Sequence, residues 1–499
     1  MKKFAKILRT LCLLTVLGVA GLSLTACDEA EVSDPAHTIY FYNSMGKNFT
    51  DALNASIADF EAKFPGWTVK SVQPGGYDEI KSSIITDLQG GSQPDLAYCY
   101  PDHVAEYLVT GKVVNMSQYI NSTAPLTVNV LNAETGAYEP KTYENEIVGY
   151  SAEEIADFIE EFLKEGYAAG YPDYQTYGYK ADDLLTLPFQ RSTEALYYNA
   201  TAFIELGLYD EVDVEKEKED GTTEIVKEKV AKVPTTWDEL WEVCRLAKAK
   251  WPTVTPLGYD SESNWFINMC QQNGWGYTSA DKDNHYLFRN AQTEAWLNQL
   301  ADYYAKGYFT TKELYGTYTS NLFKLGTNGG TIMSIGSTGG ASNQKLSKDK
   351  WGVAAIPGSL VDGKINASVI SQGPSLVMFN TSADNATEKQ AMTWEYVKML
   401  LDPVNQTGFA GVSGYMTVRK SSYDVPKYAE DLSDKENISA VTCNLAVSIK
   451  DRCFTSPAFK GSSTARDQVG VALRYVVTGK KTAAAALFDA AKKCGAKLS

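Results

Sequence analysis

Between residues 37 and 111 the spacing of apolar residues alternates between a period of two and a period near 3.6, and it does so three times. Residues 37–44 (HTIYFYNS) are rich in aromatic and β-branched side chains and read as a strand. Phe49, Leu53, Ile57, Phe60 and Phe64 then fall on one helical face. Residues 66–73 alternate as a second strand. Residues 77–88 carry Ile80, Ile84 and Leu88 as a second helix, which stops at Gly90-Gly91. Residues 95–100 (DLAYCY) give a third strand, and residues 102–109 a third helix closed by Gly111. Three strand–helix units in succession leave few solutions, because each crossover to a parallel neighbour must be right-handed. The expected fold is therefore α/β, with a mainly parallel sheet flanked by helices. Ligands of such sheets sit beyond the carboxyl ends of the strands, where Gly75-Gly76-Tyr77 and Tyr100-Pro101-Asp102 fall.

Further along, residues 121–182 are Tyr-rich and irregular and read as an insertion with one helix over residues 152–164. The charge-dense stretch 210–232 reads as a solvated hairpin. Thr236 followed three residues later by Glu239 is a capping box at the head of an apolar helical face, Trp237, Leu240, Trp241 and Cys244. Helices are expected over 293–306, 391–401, 464–477 and 482–493. Strands are expected over 331–335, 351–356 and 369–380.

The chain opens with Lys2, Lys3, Lys6 and Arg9, an apolar core over residues 11–22, and then Leu24-Thr25-Ala26-Cys27. That is the layout of an export signal. Its core is short for a bilayer span, which needs about 20 residues, and the small residues before the cysteine argue against an uncleaved anchor. The ending resembles the bacterial lipobox, which implies cleavage before Cys27, a lipid on its thiol and residues 27–36 as a tether. The four basic residues leave with the signal, so a net charge of −15 becomes −19. Such a surface suits an extracytoplasmic protein and repels nucleic acid and anionic lipid. The remaining chain of about 470 residues exceeds what one core usually carries, so at least two lobes are expected.

Catalytic and metal motifs are sparse. His37, His103 and His285 are far apart, and there is no His-Glu-x-x-His, Gly-x-Ser-x-Gly or phosphate-loop lysine. Asp281-Lys282-Asp283-Asn284 begins like a calcium loop, but His285 and Tyr286 stand where a ligand and the obligatory glycine belong. The cysteines after Cys27 are scattered; spacing leaves open buried free thiols or a Cys443–Cys453 bridge in an exported chain. The abundant carboxylates leave a surface glycan hydrolase or lyase open on counting alone. What recurs is aromatic residues beside small polar ones: 187–199, Asn264-Trp265-Phe266, Gly274-Trp275-Gly276-Tyr277, Ser371-Gln372-Gly373 and Gly414-Tyr415. A sugar ring needs both kinds, an aromatic plane for its C–H faces and hydrogen-bonding partners for its hydroxyls.

Several blocks in order resemble the family 1 extracellular solute-binding proteins of ABC importers, the group of maltose-binding and glycerol-phosphate-binding proteins. They are Ser92-Gln93-Pro94-Asp95-Leu96, Leu187-Pro188-Phe189, Thr193-Glu194-Ala195-Leu196-Tyr197-Tyr198-Asn199, Pro234 through Leu240, Gly336-Ser337-Thr338-Gly339-Gly340 and Gly414-Tyr415. The resemblance implies a two-lobed fold of the periplasmic-binding-protein type II. Lobe 1 would take 37–188 with 336–371 and lobe 2 would take 194–332 with 374–499, with crossings near 189–194, 332–336 and 371–374 and the ligand in the cleft. It implies a carbohydrate ligand, with an oligosaccharide favoured and a glycerol phosphate ester as the alternative, and ABC permease subunits as partner. It further implies a monomer on the cell membrane by its lipid, no cofactor and no covalent chemistry. By matching position, Tyr77, Tyr100, Asp102, Ser192, Thr193 with Glu194, Ser337, Thr338, Gly373 and Tyr415 would meet ligand. Arg466 would meet phosphate, and Trp265 and Trp275 correspond to cleft tryptophans. Arg191 and Arg466 are the positions expected to separate phosphate from sugar. The insertions 121–182 and 210–232 depart from the family pattern.

Overall fold

The computed structural model describes residues 34–218, 221–346, 348–381 and 383–496; the lipobox and Cys27 lie outside them. Two five-stranded sheets organise the chain. The first runs Thr68–Val72, Thr38–Tyr42, Leu96–Cys99, Ser375–Met378, Leu187–Pro188. Its first three strands are parallel, as the alternation of periods dictates, and Ser375–Met378 enters antiparallel against Leu96–Cys99. The second runs Phe309–Thr311, Leu257–Tyr259, Met333–Ser337, Glu194–Asn199, Trp351–Ala355, again with one antiparallel strand, Glu194–Asn199, inserted among the others. Each sheet has its own core. Ile39, Phe41, Leu96, Leu376 and Phe60 are fully buried in one, and Leu196, Leu257, Ile335, Phe266 and Leu473 in the other. Each such side chain contributes roughly 1.5–3 kcal/mol on burial.

The strand pairing corrects the expected lobe boundaries. Met333–Ser337 and Trp351–Ala355 flank Glu194–Asn199 in the second sheet, so 336–371 falls with lobe 2 and 332–336 is no crossing. Ser375–Met378 pairs in the first sheet, and helix Ala386–Leu400 packs on helix Thr50–Lys63, so the chain from 375 to about 410 returns to lobe 1. Helix Ser462–Val477 closes lobe 2 against helix Glu262–Asn273, and Ala483–Lys493 packs on it and on helix Ala291–Ala305. The crossings are three extended segments laced together. Ser192 and Gln372 exchange both backbone hydrogen bonds at 2.8 Å, and Arg191 and Met416 exchange theirs at 3.0 and 2.7 Å.

The expected helix over 152–164 is two helices, Ala152–Asp157 and Glu160–Lys164. Phe158 is extended because its backbone bridges Arg419, and Ile159 N donates to Val418 O at 2.9 Å. That insertion also holds a hairpin, Pro125–Leu131 with Tyr138–Ile147, covering lobe 1 through Leu126, Val128 and Val130, and two short 3-10 helices, Ala168–Gly170 and Tyr174–Tyr177. Residues 210–232 form the paired strands Tyr209–Glu217 and Thr223–Ala231. The capping box forms, with Glu239 N donating to Thr236 Oγ1 at 3.3 Å and Thr236 N to Glu239 Oε2 at 3.2 Å. Cys443 and Cys453 are free thiols. Among the described residues no helix is long and apolar enough to cross a membrane.

Candidate functional site

A cavity of about 50 Å³ lies where the two lobes meet the crossings. Lobe 1 contributes Tyr100 and Asp102 from the turn after strand Leu96–Cys99, and Pro101 starts the next helix with the φ it needs there. The crossings contribute Ser371, Gln372 and Gly373. Lobe 2 contributes Tyr277, Thr278, Thr455, Ser456, Ser462 and Arg466. Gly373 has φ +112°, and a Cβ there would collide with the Gln190 carbonyl and the Arg191 backbone, so the crossing strands approach this closely only at glycine.

The lobes touch across the cleft. Arg466 Nε donates to Asp102 Oδ2 at 3.0 Å, Lys81 Nζ lies 3.8 Å from Asp467, and Gly461 N donates to Glu106 Oε1 at 2.7 Å. Burial alone would raise the Asp102 carboxyl, but Arg466 outweighs it, and the group sits below the usual carboxylate range. Burial pushes His103 down to about 4, so its imidazole is neutral. Arg466 Nη1 also donates to Asn264 Oδ1 at 3.0 Å, and Asn264 Nδ2 donates to Glu194 Oε1 at 3.2 Å. One polar chain thus runs from lobe 1 through Arg466 into the floor of lobe 2. A volume of 50 Å³ takes a few waters at about 10–15 Å³ each, so any larger solute enters only when the lobes part.

Of the residues expected to meet ligand, Tyr100, Asp102, Gly373 and Arg466 line this cavity. Tyr77 stacks on Tyr100 with ring centroids 4.3 Å apart. Tyr415 covers Gly339, where any Cβ would run into its ring, and burial raises its phenol to about 12. The side chains of Ser192, Ser337, Thr193 and Thr338 bond to the crossings and to one another. Ser337 Oγ donates to Ser192 Oγ at 3.3 Å, Thr193 Oγ1 to Ile370 O at 3.0 Å and Thr193 N to Thr338 Oγ1 at 3.1 Å. Glu194 is buried beneath the cleft, accepting from Tyr259, Asn264 and Asn268. The two tryptophans lie elsewhere. Trp265 is fully buried between Tyr259 and Trp237, and Trp275 lies beside Trp296 at a separate pocket. Trp265 belongs to the packing of helix Glu262–Asn273, whose apolar face turns from the cleft, and Trp275 stands half-buried just past that helix's end. Arg191 is fully buried in the crossings, bonded to Pro374 O and Ser375 Oγ and 3.0 Å from Glu165, so it has no face toward a ligand.

Sequence reasoning passed over Glu165, Gln372, Tyr277, Thr455, Ser456 and Ser462. Gln372 and Tyr277 stood within stretches already marked by aromatic and small polar residues. Thr455 and Ser456 follow the two-residue strand Cys453–Phe454, which pairs with Val369–Ile370 and has no local sequence signal.

Two lobes built on sheets of this topology, hinged by paired crossings over a polar cleft, define a two-lobed binding protein. Residues 55–434 match the family of bacterial extracellular solute-binding proteins, and the chain belongs to that family. It is 22% identical over 486 residues to the sn-glycerol-3-phosphate-binding periplasmic protein UgpB of Escherichia coli strain 536, covering 95% of this chain and 94% of that one. Among solved structures, UgpB of Mycobacterium tuberculosis, in complex with glycerophosphocholine, is similar at 18% identity. It has a TM-score of 0.66 over 92% of this chain and 97% of that one. The GacH receptor of Streptomyces glaucescens, solved unliganded and with acarbose, gives 15% identity and a TM-score of 0.65 over 92% and 98%. The maltose/maltodextrin-binding domain of Bdellovibrio bacteriovorus, bound to maltotriose, gives 15% and 0.63 over 92% and 98%. These solved structures share the fold.

Proposed function

We propose that this protein is the substrate-binding component of an ABC importer, tethered by a lipid on Cys27. On this reading it takes a neutral carbohydrate, an oligosaccharide by preference, into the cleft and passes it unaltered to the permease. The observation that carries the choice of ligand is the charge at the cavity wall. Its charged side chains are Asp102, Glu165 and Arg466, and the one cation is already bonded to Asp102. A phosphate entering there would meet Asp102 and the Arg191-paired Glu165 and would have to draw Arg466 away from its partner. A sugar hydroxyl can instead accept from Arg466 and donate to Asp102 while both stay charged. Tyr100 and Tyr277 supply aromatic surface, and Ser371, Gln372, Thr455 and Ser456 supply neutral partners.

The second reading, a glycerol phosphate ester, has Arg466 in its favour, together with the phosphate esters named for the Escherichia coli and Mycobacterium tuberculosis relatives. A melting-temperature screen against mono- and oligosaccharides and glycerol phosphates separates the two. A ligand at 100 times its dissociation constant adds about 2.7 kcal/mol. Stabilisation by a sugar that survives Arg466→Ala supports the carbohydrate reading. Stabilisation by glycerol phosphates alone, lost in Arg466→Ala, overturns it. Release of product from glycans during prolonged incubation would overturn both in favour of an enzyme.

A further inference from the structure

Five of the chain's nine tryptophans, Trp237, Trp241, Trp265, Trp275 and Trp296, converge on one pocket in lobe 2. It has a volume of about 260 Å³ against about 50 Å³ in the cleft, and no residue lines both. Helices Trp237–Lys250, Glu262–Asn273 and Ala291–Ala305 wall it together with the turn at Gly358 and Ser359. The rings stand in two orientations. Trp237 and Trp241 lie within 28° of parallel to Trp265, while Trp296 meets Trp265 edge-on at 79°. Trp237 Nε1 donates to Gln272 Oε1 at 2.8 Å. Trp265 Nε1, on a fully buried side chain, has no acceptor. An unpaired buried donor costs about 1–3 kcal/mol.

The rim is polar and carries no cation: Thr236, Asp238, Asn273, Gln299 and Ser359. Anions have nothing to bind there. The part-exposed indoles of Trp241 and Trp275, set among amide, hydroxyl and carboxylate groups, match the apolar ring faces and equatorial hydroxyls of a neutral pyranose. A quaternary ammonium would use the same faces and Asp238 but none of the neutral rim groups. We infer that this pocket is a second sugar-binding site, separate from the interlobe cleft and open whether the lobes are together or apart, able to hold one ring of a glycan at the protein's surface. The inference does not depend on what the cleft binds.

Ligand-observed saturation-transfer NMR tests it, with methyl α-D-glucopyranoside, cellobiose, maltotriose and choline as probes. The proteins are the wild type, the cleft variant Asp102→Ala/Arg466→Ala, and the pocket variants Trp275→Ala and Asp238→Asn/Gln299→Ala. The second pocket variant alters only exposed rim residues, so it reports even where Trp275→Ala folds poorly. The expected result is transfer to ring C–H protons of at least one sugar in the cleft variant, weakened at least tenfold by either pocket variant. Three results overturn the inference: no sugar signal in the cleft variant, a sugar signal that both pocket variants leave intact, or binding of choline alone.

Discussion

At Glu194 burial and hydrogen bonding pull the carboxyl in opposite directions. Burial raises it, the hydrogen bonds from Tyr259, Asn264 and Asn268 lower it in part, and it settles at about 7 against an ordinary 4.5. The folded protein therefore holds this proton more tightly than the unfolded chain. Its contribution to stability is full below about pH 4.5 and is lost as pH rises to about 7. The loss corresponds to ~3 kcal/mol. In denaturant unfolding of wild type and Glu194→Gln between pH 4.5 and 8, the wild type should lose about that much relative to the variant, whatever the variant's constant offset. Parallel curves would show that Glu194 does not titrate in this range. The residues at this scale were legible in part. Tyr100 and Asp102 could be placed because strand ends fix where backbone comes close, and Gly373 by its position in the family pattern. Trp265 and Arg191 could not, because the same residue type serves a ligand or a core, and only the packing around helix Glu262–Asn273 and the crossings decides which.

Among the elements, the crossings hold the site, and their register hangs on glycine. Gly373 sits at φ +112° with the Gln190 carbonyl against the space a Cβ would fill. Gly373→Ala should cost about 1–3 kcal/mol and loosen the Ser192–Gln372 pair. The expected readout is faster amide hydrogen exchange at residues 190–193 and 371–374, with both cores unchanged. Unaltered exchange there would show that the crossings tolerate the change. A local device gives a contrasting expectation. Thr236→Ala removes one capping bond and should lower stability by about 1 kcal/mol, measured by denaturation, without touching the cleft. The capping box was readable because it is encoded within four residues. The break at Phe158 was not, because its cause is a strand partner, Arg419, more than 250 residues away. The stretch 369–380 likewise reads as one strand; the structure interrupts it at 371–374, where the chain passes from one lobe to the other.

For the whole molecule, the alternation of periods over 37–111 specified the parallel part of the first sheet but neither the second sheet nor which late strand joins which. Ser375–Met378 and Met333–Ser337 are both short and apolar, and either suits either lobe until the crossings fix the path. The closed arrangement then rests on few bonds, chiefly Asp102–Arg466, Lys282–Asp173, Lys81–Asp467 and Glu106 with Gly461 N. These bonds compete with solvent for the same groups, so weakening one should favour the open form. A hydrogen bond to a charged partner contributes about 1.5–3 kcal/mol. Asp102→Asn keeps the shape and removes the charge, so it should shift the closed-to-open ratio about tenfold or more. Small-angle scattering without ligand should then show a larger radius of gyration for Asp102→Asn than for wild type, with the difference shrinking when a saturating ligand is added. Lys81→Ala, whose contact with Asp467 is longer, should shift it less. Equal radii for all three proteins would mean that the lobes are held by the crossings alone, with the ion pairs following closure rather than setting it.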